Sequence, residues 1–173
     1  MKRLISVVVV LCAFPLLTYA QSNPVTAAVR DALQRRQKDL VEAAQEMPPD
    51  KYGFKPTPAQ MSFGHLVGHV MQSNGLLCSK LSGSAAPQQQ VSDADPKEKL
   101  VDALKASFDF CSTALSQLSD ARLGDEVTLF GGRKATKAAA VIALTSGWAD
   151  HYSAAAMYLR LNGLVPPTAK AKE

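Results

Sequence analysis

The strongest constraint on the fold is a run of apolar residues spaced by fours and threes: Leu100, Leu104, Phe108, Cys111, Leu115 and Leu118. Residues so spaced share one side of an α-helix but scatter over both faces of a strand, so they can be buried together only in a bundle seam. Helical periodicity recurs in three further segments, whereas strand alternation is nearly absent. From about Pro24 to Met47, Val25, Val29, Leu33, Leu40, Ala44 and Met47 form one stripe, with Arg30, Lys38 and Glu42 on other faces. Ser22 or Asn23 can cap this helix, Pro24 suits its first turn, and Pro48-Pro49 ends it. The next helix starts near Ser62, an N-cap residue, and gathers Phe63, Leu66, Val67, Val70, Asn74, Leu77 and Leu81. The last runs from about Thr136 to Leu161, where Asn162-Gly163 supplies a left-handed cap and Pro166-Pro167 prevents continuation.

The connections are equally distinct. Pro48 to Pro58 holds four prolines and Gly53, which forbids a helix, and its Tyr52 and Phe54 are expected to tuck against the bundle. Ser82 to Asp95 is polar and turn-rich. Leu123 to Lys137 is irregular, with Val127 to Phe130 extended before a Gly131-Gly132 turn.

Four such helices predict an all-α, four-helix bundle. The cysteines choose its topology. Cys78 lies sixteen residues after Ser62 and Cys111 fourteen after Lys97, at roughly 24 and 21 Å of helical rise. Those heights match only if the second and third helices run parallel; an antiparallel hairpin would put the sulfurs near opposite ends. The fifteen residues from Ser82 to Pro96 can reach up to ~50 Å, enough for a long crossover back along a helix of about 30 Å. The expected fold is therefore up-down-down-up with a Cys78–Cys111 disulfide. The alternative is two free thiols buried in core seams.

Residues 1–20 read as a signal peptide: Lys2 and Arg3, an apolar run from Leu4 to Leu17, then Thr18-Tyr19-Ala20, which predicts cleavage before Gln21. A retained anchor is the alternative, but the run falls short of the ~20 residues needed to span a bilayer and contains Pro15. Val10-Leu11 before Cys12 do not make a lipidation site. The expected location is thus the periplasm or exterior, with no membrane anchoring after cleavage and residues 21–173 as one domain. An oxidising space also suits pairing of Cys78 with Cys111. Losing Lys2 and Arg3 takes the formal charge of +4 down to +2. With the remaining basic residues scattered and few aromatics among them, nucleic acid is not an expected partner.

The segments Met47-Pro48-Pro49-Asp50-Lys51-Tyr52-Gly53-Phe54-Lys55-Pro56-Thr57-Pro58, Ser62-Phe63-Gly64-His65-Leu66-Val67-Gly68-His69-Val70, Phe130-Gly131-Gly132 and Tyr158-Leu159-Arg160-Leu161-Asn162-Gly163 resemble the DinB-like superfamily, in order and across essentially the whole mature chain. The resemblance implies a bundle with parallel middle helices. It also implies a divalent metal, often zinc or nickel, held by one histidine on the second helix and two that are four apart on the last. Some relatives are thiol-dependent transferases or isomerases, others hydrolases.

Here that triad is incomplete. His69 matches the histidine of the second helix and His151 the later one of the last, but the position four before His151 is Gly147. His65, four before His69, would complete a rearranged site with His69 and His151, using every histidine in the chain. Against it, His69 falls about 120° and His65 about 160° from the centre of their helix's apolar face, the latter toward solvent. Asp150 points elsewhere on its helix. Gly147 also has a packing reading, as room for Trp148 or a neighbouring helix. Trp148 itself sits on the core face with Val141, Leu144 and Ala155, and Arg160 matches a helix-end arginine expected to hold the last turn or the loop after Pro48. No nucleophile elbow or phosphate-binding glycine loop occurs, and disulfide-bonded cysteines are not nucleophiles.

Three functions remain open: a metal-dependent enzyme of transferase or hydrolase type with a rearranged site, a non-catalytic relative whose groove binds a small molecule or protein, and a homodimer built on the bundle faces. The second is favoured, with no cofactor expected and one divalent metal, zinc or nickel, as the alternative. Export counts against thiol transfer, since low-molecular-weight thiol cofactors are mainly cytoplasmic.

Overall fold

The computed structural model describes residues 23–88 and 91–170, so the signal segment and its cleavage site lie outside the described residues. Its elements are α1 (Pro24–Glu46), α2 (Phe63–Ser82), α3 (Lys97–Ser116), β1 (Glu126–Thr128), β2 (Lys134–Thr136) and α4 (Lys137–Leu161), with short 3₁₀ turns between them. Leu100, Leu104, Phe108, Cys111, Leu115 and Leu118, the residues of the periodic stripe, are all buried. So are the seven expected core positions of α2. Ser62 caps α2 by accepting the His65 N–H at 3.1 Å, and Thr136 caps α4 by accepting the Ala139 N–H.

Helix directions follow from which residues meet. Asn74 donates to the Ser107 hydroxyl at 3.0 Å, and one turn on in both helices Cys78 is bonded to Cys111 with Cα atoms 5.2 Å apart. Moving forward along α2 is therefore moving forward along α3, and the two are parallel. Between α2 and α4 the order reverses. Met61, just before α2, meets Tyr158 late in α4, whose hydroxyl donates to the Met61 carbonyl at 2.7 Å. Asn74, farther along α2, meets Trp148, nearer the start of α4. With α1 antiparallel to α3, as its Gln37–Asp109 and Arg30–Leu115 contacts require, the bundle is up-down-down-up. The expected fold and disulfide both stand, and free thiols do not.

The crossover retraces α2. Ala86 lies against Gly75, and the Asp93 carbonyl passes so near Gly64 that a Cβ there would sit 2.9 Å from it. Gly64 is thus a position where backbone approach leaves no room for a side chain.

Some local details differ from expectation. The connection before α4 is not merely irregular: β1 and β2 pair antiparallel, Val127 opposite Ala135, around a tip at Phe130–Gly132 in which both glycines take positive φ. Strands of three residues are too short for alternation to show in sequence. The start of α1 is held from outside its own segment. Asp120 accepts the Val25 and Thr26 N–H groups at 2.9 and 2.8 Å, while Asn23 accepts the Asp120 N–H at 2.8 Å. Arg160 is exposed and its guanidinium makes no hydrogen bond among the described residues. The last turn is closed instead by the Arg160 carbonyl, which accepts the Gly163 N–H, and by the Asn162 carboxamide on Tyr158.

Both sulfurs of the disulfide are fully buried, and it closes a loop of 33 residues. Removing it with Cys78→Ala and Cys111→Ala together should cost about 3–4 kcal/mol by loop closure, read as a drop in the urea midpoint. An unchanged midpoint would show that the core alone holds α2 and α3 parallel.

Candidate functional site

Helix α2 presents Val70, Asn74 and Leu77 to α4, and the polar member of that stripe has a defined purpose. Asn74 is wholly buried. Its carbonyl oxygen accepts the Trp148 indole N–H at 2.7 Å, its amide donates to Ser107, and Ser107 donates on to the Leu104 carbonyl. A buried network with each partner satisfied fixes register as well as adding stability. Here it sets how α2, α3 and α4 slide relative to one another. The Trp148 ring is buried against Phe108, centroids 5.8 Å apart, which agrees with its expected core role.

That register brings His69 and His151 together. They lie one helical turn along from the Asn74–Trp148 pair, and their ring centroids are 4.9 Å apart at an interplanar angle of 58°. Both are half-buried in the groove between α2 and α4. Burial, and next the neighbouring His151 and His65, push the His69 imidazole below its ordinary value of 6.5, because each disfavours a second positive charge in a partly dry groove.

His65 does not join them. Its Nδ1 lies 2.6 Å from an Asp93 carboxylate oxygen, so the crossover holds it on the outer side of α2 with about half of each side chain exposed. Among the described residues no three His, Cys, Asp or Glu side chains gather closely enough to hold a metal. The residues present therefore do not fit a three-ligand metal centre. Asp150 is exposed on α4 beside His151.

Gly147 explains the gap. Helical side chains lean toward the N-terminus, and the His151 ring folds back over Gly147: a Cβ built there meets only its Cε1 and Nδ1, at 3.7 and 3.8 Å. Those are ordinary contacts, and no neighbouring helix comes within 4 Å. No neighbouring helix needs Gly147 to lack a side chain, so that half of the packing reading is corrected. What its absence leaves is a cavity of about 110 Å³, bounded by α2, α4 and the hairpin tip at Phe130. On the other side of His151 the groove continues past Met61 and Met157, both partly exposed, toward Tyr158. Asp93, Ser73 and Phe130 were not legible as site neighbours, since no local pattern says which loop returns over a helix. Asn74 was signalled, as one amide inside an apolar stripe.

Two outcomes follow from this geometry. Gly147→Ala should raise stability by about 0.5–1 kcal/mol, the usual gain from removing glycine from a helix interior, and a lower melting temperature would mean unseen crowding. Neutral His69 contributes stability that is complete above about pH 6.5 and is lost as pH falls below it, because the unfolded chain takes up the proton first. His69→Gln should accordingly flatten the fall in melting temperature between pH 7.5 and 5.5. An identical slope in both proteins would place the titration elsewhere.

Comparison with known proteins agrees with this architecture. The family model for the DinB superfamily matches residues 32–152. A DinB-like protein from Bacillus subtilis, 24% identical, superposes with a TM-score of 0.68 over 84% of this chain and 99% of its own. A second, from Bacillus cereus, is 14% identical with a TM-score of 0.68, covering 82% and 95%. The mycothiol-dependent maleylpyruvate isomerase, 13% identical, shares the fold at a TM-score of 0.60, over 74% of this chain and 59% of that enzyme. No curated protein matches the sequence. Matched by the family model over most of its length, with its four helices in the same arrangement, the chain belongs to the DinB superfamily.

Proposed function

We propose that this chain is an exported, non-catalytic member of the DinB superfamily that uses the groove between α2 and α4 to bind a small organic ligand. The observation that carries the reading is the pairing of Gly147 with a His151 ring lying over it. Two imidazoles face each other where the resemblance implies three, and the remaining histidine of the chain is engaged by Asp93. A zinc site that activates water ordinarily needs three protein ligands around an open position. Two imidazoles lining an apolar groove instead offer ring nitrogens that can donate to or accept from a polar group on a ligand.

Export is supported by the basic, apolar and small-residue order of residues 1–20 and by the buried Cys78–Cys111 disulfide, a bond that persists in oxidising compartments. No helix among the described residues is long and apolar enough to cross a membrane.

The competing reading is a metal-dependent enzyme with a rearranged site, and the 4.9 Å approach of His69 to His151 favours it. Elemental analysis and thermal melts of the purified protein separate the two. The proposal expects less than a tenth of an equivalent of metal and a melting temperature that ignores zinc, nickel and manganese. One equivalent of metal, lost in both His69→Ala and His151→Ala, would overturn it in favour of the enzyme. N-terminal sequencing of the exported protein should begin at Gln21.

A further inference from the structure

The groove contains one chamber whose shape and lining point to a class of ligand. Val70 and Leu77 from α2 and Leu144 and Trp148 from α4 form its apolar walls, Phe130 of the hairpin tip stands at its mouth, and Gly147 gives it depth. Its volume is about 110 Å³, somewhat below the about 150 Å³ of an apolar cavity that takes up benzene, so it admits at most one small ring. Three polar side chains border it: Ser73, Asn74 and His151. Asn74 is committed to Trp148 and Ser107. Ser73 and His151 have no side-chain hydrogen-bond partner in the protein among the described residues, and the His151 ring packs beside His69 and over Gly147.

We propose that this chamber binds a small planar ring carrying one hydroxyl group, the phenol class. The inference rests on the reading of the groove as a ligand site and gives that ligand its chemistry. A flat ring suits a slot between two helices whose aromatic neighbours are Trp148 and Phe130, because offset and edge contacts with those rings add to simple burial. One hydroxyl suits the two polar groups left over: it donates to an imidazole nitrogen of His151 and accepts from the Ser73 hydroxyl. A carboxylate would also reach His151, but it would leave most of its lone pairs facing apolar walls, which is costly. A larger ligand would have to push out Phe130, whose ring is already 56% exposed. Growth of the ligand past the mouth therefore remains compatible with the site, whereas growth inward does not.

Trp148 is the only tryptophan in the chain, so the indole emission comes from a residue that lines this chamber. Titrating the purified protein with phenol should change that emission saturably. Gly147→Leu and Ala143→Leu, which fill the chamber from two positions on α4, should each weaken binding at least tenfold while preserving the melt. Ser73→Ala should weaken it several-fold. Cyclohexanol, with the hydroxyl but not the flat ring, should bind at least tenfold more weakly than phenol. A linear response to phenol, equal in the wild type and both filled variants, would overturn the inference, and so would cyclohexanol binding as tightly as phenol. A protein that ignores both zinc and phenol overturns this inference alone; one that binds zinc through both histidines overturns the reading beneath it.

Discussion

Two helices adjacent in sequence can run parallel only if the chain between them travels back the length of a helix. Much of this structure depends on how that return is secured. Helices α2 and α3 are each 20 residues, about 30 Å, and the described residues of the returning connection form no helix or strand. It is secured by side chains at both ends and in the middle. Cys78–Cys111 and Asn74–Ser107 lock the helices in register, Ala86 rests on Gly75, and Asp93 lies over Gly64 and Gly68. A Cβ at Gly64 would lift the crossover from α2, and with it the carboxylate that holds His65.

The parallel pair then dictates the site. Because α4 packs antiparallel against α2, the register set at Asn74–Trp148 carries His69 to His151 one turn away. The two rings meet without a third partner, since the turn before His151 carries Gly147 and its space is partly covered by the His151 ring itself. Burial of His69 beside His151 favours its neutral form, which suits hydrogen bonding to a neutral ligand better than it suits a cationic groove. In the proposed reading, glycine at position 147 withholds one metal ligand and leaves room for a small organic one.

Much of this architecture was legible in residue order. The four stripes located the helices to within a residue or two: α1 stops at Glu46 rather than Met47, and α4 starts at Lys137 after a Thr136 cap. Cysteine heights alone gave the parallel middle helices, because helical rise converts sequence distance to length. The pairing of His69 with His151 followed from the family resemblance, and the angular placement of His65 toward solvent agrees with its contact to Asp93. Long-range polar contacts were not legible. Asp120 capping α1 from beyond α3, and Asp93 returning to His65, join residues that no periodicity relates. The β-hairpin was missed for a different reason: its strands are three residues long, and turn glycines dominate the local signal. The expectation that Gly147 makes room for a neighbouring helix failed because glycine in a helix announces missing volume, not what occupies it.

In the proposed reading, Gly147 is what separates this groove from a metal centre. Replacing it by histidine tests this most directly, since the position has open contacts and the His151 ring can swing aside. Zinc binding should be measured by calorimetry on the wild type and on Gly147→His under identical conditions. No stoichiometric binding is expected in the wild type and one equivalent in the variant, lost again when His69 is changed to alanine. Equal zinc binding by both proteins would contradict it, and the groove would then hold a metal without any ligand from position 147.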